Sequence, residues 1–142
     1  MNSDVSRILA IDYGSARIGL AVSDPLKIIA QGLKTISNDE KCFDEITSII
    51  KEQAVNKIIV GKPLNLSGGE SAKSVEVDEF VKKLNAKTAI EIILIDERFT
   101  SVMAQKAIFA MGAKKKQRQN KAKVDEVAAA ILLQGYLDSQ KR

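Results

Sequence analysis

Residues 8–24 read Ile-Leu-Ala-Ile-Asp-Tyr-Gly-Ser-Ala-Arg-Ile-Gly-Leu-Ala-Val-Ser-Asp, and this stretch decides the fold. Two short apolar runs, residues 8–11 and 18–22, flank a polar turn, which is typical of two tightly connected strands. The first run ends on a carboxylate, Asp12. Because an unpaired buried carboxylate is costly, we expect Asp12 to hold a cation, an ion-pair partner or several hydrogen-bond donors. Gly14 is predicted to turn with a positive φ and to leave room for a ligand.

Composition limits the class of protein. The 142 residues are enough for one domain with a sizeable core, predicted to span residues 1–142. No apolar run approaches the length of a membrane span, and the amino terminus lacks the features of a signal peptide. The one cysteine, Cys42, has no partner for an internal disulfide. These features predict a soluble cytoplasmic protein with no membrane partner.

The absence of histidine excludes several kinds of active site. A serine–histidine or cysteine–histidine nucleophile and a histidine metal site are all impossible. Acid–base chemistry near neutral pH would have to come from carboxylates, lysines or metal-bound water. A site in which carboxylates hold a hard cation fits this inventory best.

Hydrophobic periodicity predicts nine elements in the order β-β-β-α-β-α-β-α-α. Residues 37–39 are predicted to cap the first helix, and the last helix is predicted to face inward with Val124, Val127, Ala128, Ile131 and Leu132. The predicted strands are residues 8–11, 18–22, 28–36 (weakened by Gly32), 57–61 and 91–96. The first predicted helix starts after residues 37–39 and ends near Gln53. The other three predicted helices cover residues 70–85, 100–111 and 122–139.

The spacing of these elements predicts an α/β fold. Three leading strands with short connections fit an antiparallel meander. The later strands alternate with helices, which indicates parallel pairing. We therefore expect a mixed five-stranded sheet with helices on both faces and a site beyond the carboxyl ends of the parallel strands.

Acidic residues lie at the ends of three predicted elements. The strand at residues 91–96 ends on Asp96 and Glu97, as the first strand ends on Asp12, and Asp125 begins the final helix. Each acid also has a simpler interpretation when it is taken alone. Asp12 can be a turn residue, and Asp125 can be an acid at a helix terminus. The run Asp96–Glu97–Arg98 can be a local ion pair. Together, acids at three element ends favour a divalent-metal site. Two Mg²⁺ or Mn²⁺ ions held there would activate water and stabilise the leaving oxygen in phosphodiester cleavage.

Positive charge is concentrated in one segment. Residues 114–123 contain six cations and no acid. Without these six cations, the net charge of the chain would fall from +4 to −2. This basic segment is predicted to attract a polyanion through its phosphate backbone, although such runs can also be solvated loops. Arg17 and Arg98 are predicted to contact substrate phosphate or to brace the acids, with a surface ion pair as the alternative. The cations of the basic segment are Lys114, Lys115, Lys116, Arg118, Lys121 and Lys123.

Four motifs together resemble the YqgF (RuvX) family of bacterial proteins with an RNase H-like fold. The resemblance covers nearly the whole chain, and the set of motifs is more specific than any one of them. The motifs are D-Y-G-S-A-R-I-G-L-A-V-S-D at residues 12–24, G-K-P-L-N-L-S-G at 61–68, D-E-R-F-T-S at 96–101 and K-V-D-E-V-A-A-A-I-L-L-Q at 123–134.

The resemblance implies a sheet of order 3-2-1-4-5 and a metal-dependent nuclease that processes the 5′ end of the small-subunit ribosomal RNA precursor. It carries over Asp12, Asp125 and the pair Asp96–Glu97 as metal ligands. Resolvases of this fold place an acid at the end of the fourth strand, where this chain has none, so the fifth strand must supply it. Glu97 is preferred to Asp96, which remains the alternate, because its side chain is longer. Asp12, Glu97 and Asp125 are thus the predicted catalytic residues.

The sequence is compatible with other functions. An older assignment for the family is a Holliday junction resolvase, which would cut branched DNA as a dimer. A third possibility is a non-catalytic RNA-binding module. Loss of turnover with retained binding in an Asp12→Asn variant would separate an enzyme from a binding module.

Overall fold

The computed structural model describes residues 5–63, 69, 71–96 and 121–140. The predicted helix at residues 100–111 lies outside these ranges. Among the described residues, no helix combines the length and apolar character needed to cross a bilayer. The elements are β1 (Arg7–Tyr13), β2 (Arg17–Ser23), β3 (Ala30–Ser37), α1 (Cys42–Glu52), β4 (Val55–Lys62), α2 (Ala72–Asn85), β5 (Glu91–Asp96) and α3 (Lys121–Ser139).

The five strands form one mixed sheet in the order β3-β2-β1-β4-β5, which confirms the predicted arrangement. The first three strands pair antiparallel because their connecting turns are too short for a crossover. β4 pairs parallel with β1, and β5 pairs parallel with β4. β1, β4 and β5 therefore end at the same edge of the sheet, and Asp12 lies at that edge.

Each face of the sheet is covered by helices, as predicted. Side chains alternate along a strand, so β1 contributes Leu9 and Ile11 to one core and Ile8 and Ala10 to the other. The first core also contains residues of α1 and α2. The second core contains the apolar residues of α3. These two faces are called the α1–α2 face and the α3 face below.

The predicted cap of the first helix is wrong. Ser37 is the last residue of β3, and the Asn38 side-chain amide donates to the Gly14 carbonyl oxygen at 2.8 Å. The helix begins at Cys42, and the residue before it, Lys41, makes no side-chain capping bond. Ser37 therefore belongs to the strand, and Asn38 holds the neighbouring turn, where a tertiary contact outweighs its capping preference.

The start of the third strand is also later than predicted. Residues 24–29 form a turn instead, in which the Asp24 carboxylate accepts backbone N–H groups from Leu26, Ile28 and Ile29. These bonds, chiefly that from Ile29, lower the pKa of Asp24. β3 begins at Ala30, beyond the turn.

The inward face of α3 differs from the predicted stripe. Four of the five predicted positions are half-buried, and only Leu132 is buried. The observed stripe passes through Asp125, whose backbone rests on Gly19 of the sheet, whereas the predicted stripe followed the apolar residues from Val124. The residues of α3 that are buried are Ala129, Leu132, Leu133 and Leu137.

Candidate active site

Asp12 lies at the carboxyl end of β1, on the α3 face. It follows Ala10 on that face by strand alternation, and it stands opposite Gly19 of β2 in the antiparallel register. Its side chain is half-buried. Since Gly19 has no side chain, the space beside the Asp12 carboxylate on β2 is open to an element packed on this face.

That element is the amino-terminal part of α3, which brings Asp125 to Gly19. A methyl group on Gly19 would overlap the Asp125 carbonyl oxygen and lie 2.6 Å from the carbonyl carbon. A second strand glycine, Gly32 of β3, makes room for Glu126, whose Cβ would be 3.3 Å from an added methyl group. The two glycines let α3 approach the sheet closely and place Asp125 beside Asp12.

Arg17 connects this helix to the sheet. Its Nε donates to the Asp125 Oδ2 at 2.8 Å, and the side chains of Arg17 and Asp125 are 39% and 21% exposed. A half-buried ion pair with a direct hydrogen bond is stronger than a fully solvated one. This contact is compatible with a brace on Asp125 and with the alternative of an ion pair, and contact with substrate phosphate stays a prediction.

The turn between β1 and β2 is held in place by its neighbours. The Gly14 carbonyl accepts from Asn38, and the Ser15 hydroxyl donates to Glu76 of α2 at 3.1 Å. The expectation of a positive φ at Gly14 is wrong, because no left-handed φ occurs there. Glycine is required instead because a methyl group at residue 14 would overlap the Arg17 carbonyl oxygen.

A pocket of about 260 Å³ opens between this turn and α3. Asp12 and Asp125 supply its negative charge, and Arg17 and Lys73 supply its positive charge. Such a mixture suits a phosphate group and a cation together. The remaining lining residues are Tyr13, Gly14, Ser15 and Ala16.

Asp96 faces away from Asp12. On β5, Ile92 packs with the core of the α1–α2 face, whereas Ile93 and Ile95 pack with the core of the α3 face. Strand alternation therefore puts Asp96 on the α1–α2 face, opposite to Asp12. Of the predicted pair, Glu97 lies outside the described residues.

A metal ion is chemically compatible with Asp12 and Asp125, since Mg²⁺ and Mn²⁺ prefer carboxylate oxygens. Within residues 5–63, 69, 71–96 and 121–140, however, no three His, Cys, Asp or Glu side chains are grouped as a metal site. Of the predicted acids, Asp12 and Asp125 thus line the pocket. A third would have to come from the remainder of the chain.

Of the other predicted substrate contacts, only Lys121 and Lys123 lie among the described residues. Lys121 is the first residue of α3, and Lys123 is exposed on the same helix. Both therefore lie close in sequence to Asp125, within one and a half helical turns. Outside the described residues lie Arg98, Lys114, Lys115, Lys116 and Arg118.

The thiol does not contribute to the site. Cys42 is buried at the start of α1, on the α1–α2 face, and burial raises the pKa of its thiol. A raised pKa disfavours the thiolate, which is the nucleophilic form. Burial on the α1–α2 face and a raised pKa therefore make Cys42 a residue of the core and not of the pocket.

Sequence reasoning missed two residues of the site. Gly19 was assigned only to the strand at residues 18–22, and Lys73 only to the helix at residues 70–85. The signal for Gly19 was available, because glycine within a strand commonly marks close approach by another backbone. No local signal identified Lys73, whose place in the pocket depends on how α2 packs against the turn.

Residues 6–139 match the sequence profile of RuvX, a family described as Holliday junction resolvase. The chain belongs to the RuvX family. Relatives of similar length agree with this: a Phocaeicola vulgatus protein is 47% identical over 138 residues, which cover 96% of this chain and 99% of the relative. A Bacteroides fragilis protein is 44% identical with the same coverage. Both relatives are provisionally named pre-16S rRNA nuclease.

Solved structures assign this RuvX-family chain an RNase H-like fold. Thermus thermophilus RuvC, solved with a Holliday junction substrate, has a TM-score of 0.58 with 12% identity and covers 95% of both chains. The fowlpox virus resolvase, also solved with Holliday junction DNA, has a TM-score of 0.56 with 15% identity, and the match covers 96% of this chain and 99% of the resolvase. At this level of identity the likeness establishes the fold alone.

Proposed function

We propose that this chain is a metal-dependent nuclease that cleaves phosphodiester bonds in the 5′ region of the small-subunit ribosomal RNA precursor. The observation that carries the proposal is the meeting of Asp12 and Asp125 across Gly19, at the carboxyl end of β1. Family membership and the names of the relatives support the choice of reaction and substrate.

Four residues of the pocket have a part in this chemistry. Asp12 and Asp125 would hold Mg²⁺ or Mn²⁺, which supplies an activated water and charge stabilisation at the leaving oxygen. Arg17 holds the Asp125 carboxylate in place. Lys73, which also lines the pocket, would offer a cation to substrate phosphate.

A cleavage assay tests this proposal directly. The wild type would be incubated with Mg²⁺ or Mn²⁺ and with three substrates: a ribosomal RNA precursor fragment, a four-way DNA junction and single strands. We expect cleavage of the RNA precursor, dependent on the metal. Metal-independent cleavage, or none of any substrate, would contradict it.

The family's description as a Holliday junction resolvase favours one second candidate, cleavage of branched DNA. That reaction needs paired active sites, since two strands are cut. Symmetric cuts in the DNA junction by a dimeric protein would support this candidate. A monomer that cuts only the RNA precursor would exclude it.

Glu97→Gln and Asp96→Asn separate the two acids at the end of β5. We propose Glu97 as the third ligand, because Asp96 lies on the face opposite to Asp12. We expect cleavage to fall by about 10²-fold or more in the Glu97 variant, through weaker metal binding, and by less than about twofold in the Asp96 variant. Titration with Mn²⁺ would measure the metal affinity. The reverse ranking of the two variants would show that Asp96 is the ligand.

Replacing Lys114, Lys115, Lys116 and Arg118 with glutamine should weaken nucleic-acid binding. Each lost phosphate contact is expected to lower the slope of log affinity against log salt by about 0.7 to 0.9. Thermal stability should change little. A matched variant would lose the same four positive charges at exposed lysines of α1, α2 and the residues after α2. These lysines are Lys51, Lys82, Lys83 and Lys87. Equal salt slopes for the two variants would contradict a specific role for the basic segment.

A further inference from the structure

The Arg17 guanidinium lies on one of the two acids that the proposed nuclease site needs. Its Nε donates to the Asp125 Oδ2 at 2.8 Å, and both side chains retain some exposure. The guanidinium and a divalent cation would therefore draw on the same carboxylate charge. A fixed positive charge beside a ligand lowers the affinity of that ligand for a cation.

The fold builds this contact from β2. Arg17 and Gly19 are two residues apart and thus lie on the same face of the strand. Gly19 receives the backbone of Asp125, and Arg17 receives its carboxylate. One strand thereby sets both the position of Asp125 and the counter-charge upon it.

The counter-charge also has a structural use. Asp12 stands opposite Gly19 on β1, so Asp12 and Asp125 converge on one glycine. Two carboxylates that share a site repel each other unless a cation lies between or beside them. The Arg17 guanidinium, bonded to Asp125, supplies such a cation.

We propose that Arg17 is a positioning residue that holds Asp125 as a counter-cation until substrate binds, and that its guanidinium then moves to a substrate phosphate. Asp12, Asp125 and Arg17 line the same pocket, so a phosphate bound there would lie in the pocket that the guanidinium already lines. Guanidinium pairs with phosphate as well as with carboxylate. This inference rests on the proposed nuclease function, and it makes metal binding depend on nucleic-acid binding.

Titration with Mn²⁺ in the absence of nucleic acid is the first test. We expect Arg17→Gln to bind Mn²⁺ about fivefold more tightly than the wild type, because the competing charge is gone. Arg17→Lys, which keeps the charge, should stay within about twofold of the wild type. The matched control is Arg7→Gln, the same substitution at the opposite end of the neighbouring strand, and it should also leave Mn²⁺ affinity unchanged.

Coupling to nucleic acid is the second test. Mn²⁺ affinity would be measured with and without a nuclease-resistant phosphorothioate RNA oligonucleotide. In the wild type, the oligonucleotide should tighten Mn²⁺ binding about fivefold, because it draws Arg17 away from Asp125. In Arg17→Gln, that gain should shrink to less than about twofold. The same ratio should appear for RNA affinity with and without Mn²⁺, since coupling is reciprocal.

A background of Asp125→Asn shows whether Arg17 acts through Asp125. There, Arg17→Gln should no longer tighten Mn²⁺ binding, which a general charge effect would not predict. Circular dichroism would confirm folding, and Arg17→Met, which keeps the aliphatic stem, would replace a glutamine variant that fails to fold.

The outcomes also distinguish this inference from the proposed function. Mn²⁺ binding that requires Asp12 but is equal or weaker in Arg17→Gln would overturn the role of Arg17 and leave the nuclease intact. Absence of Asp12-dependent Mn²⁺ binding in every variant would overturn both.

Discussion

Asp12→Asn is expected to lower phosphodiester cleavage by about 10³-fold or more while the protein remains folded. Asparagine keeps the shape of the side chain but removes the charge that attracts a divalent cation. Without the metal, neither water activation nor stabilisation of the leaving oxygen is available. Initial rates at saturating Mn²⁺, with equal protein and RNA, would measure the loss.

The matched control for this variant is Asp44→Asn, at an exposed position of α1 on the other side of the sheet. It makes the same chemical change far from the pocket and should retain cleavage. RNA binding by Asp12→Asn should persist, because Lys73 and the basic segment are unchanged. Wild-type turnover in Asp12→Asn would remove the carboxylate from the mechanism, and loss of RNA binding would indicate damage to the fold.

Gly19→Ala is expected to reduce both stability and activity. The added methyl group would lie 2.6 Å from the Asp125 carbonyl carbon, so α3 or β2 has to shift. Overpacking of this kind costs about 1–3 kcal/mol in the free energy of unfolding. A displacement of Asp125 by about 1 Å should lower cleavage by about 10²-fold. Denaturant unfolding and initial rates would measure the two effects.

Gly135→Ala provides the comparison, because Gly135 lies in the interior of α3 with nothing within 4 Å of an added methyl group. Alanine in a helix is favoured over glycine by about 0.5–1 kcal/mol, so this variant should be neutral or more stable. It should also keep full activity. If the two alanine variants behaved alike, close packing on Gly19 would not be what positions Asp125.

Much of the fold was predictable because it follows from local patterns. Strand lengths, helix periodicity and short connections are properties of neighbouring residues, and they predicted a mixed five-stranded sheet with helices on both faces, whereas the strand order came from the family resemblance. The exceptions lie where a tertiary contact outweighs a local preference. Asn38 bonds the Gly14 carbonyl instead of capping a helix, and the buried stripe of α3 runs through Asp125.

The candidate site was predictable in part. Asp12 could be identified because it ends a buried strand beside a turn, and Asp125 because it begins a helix. Their meeting was an expectation from topology, and the proposed role of Asp125 rests on that meeting. The place of Lys73 in the pocket had no such local sign, since it depends on the packing of α2.

By itself, the sequence narrowed the class of chemistry: with no histidine and one cysteine, acid–base chemistry near neutral pH is left to carboxylates, lysines or metal-bound water. It also determined the sheet, since short turns enforce antiparallel neighbours and helical crossovers enforce parallel ones. Only the tertiary structure decided that Gly19 admits Asp125, that Arg17 pairs with it and that Asp96 faces the other way. The physical reason is that these facts depend on strand register and on contacts such as Arg17–Asp125, which join residues 108 positions apart.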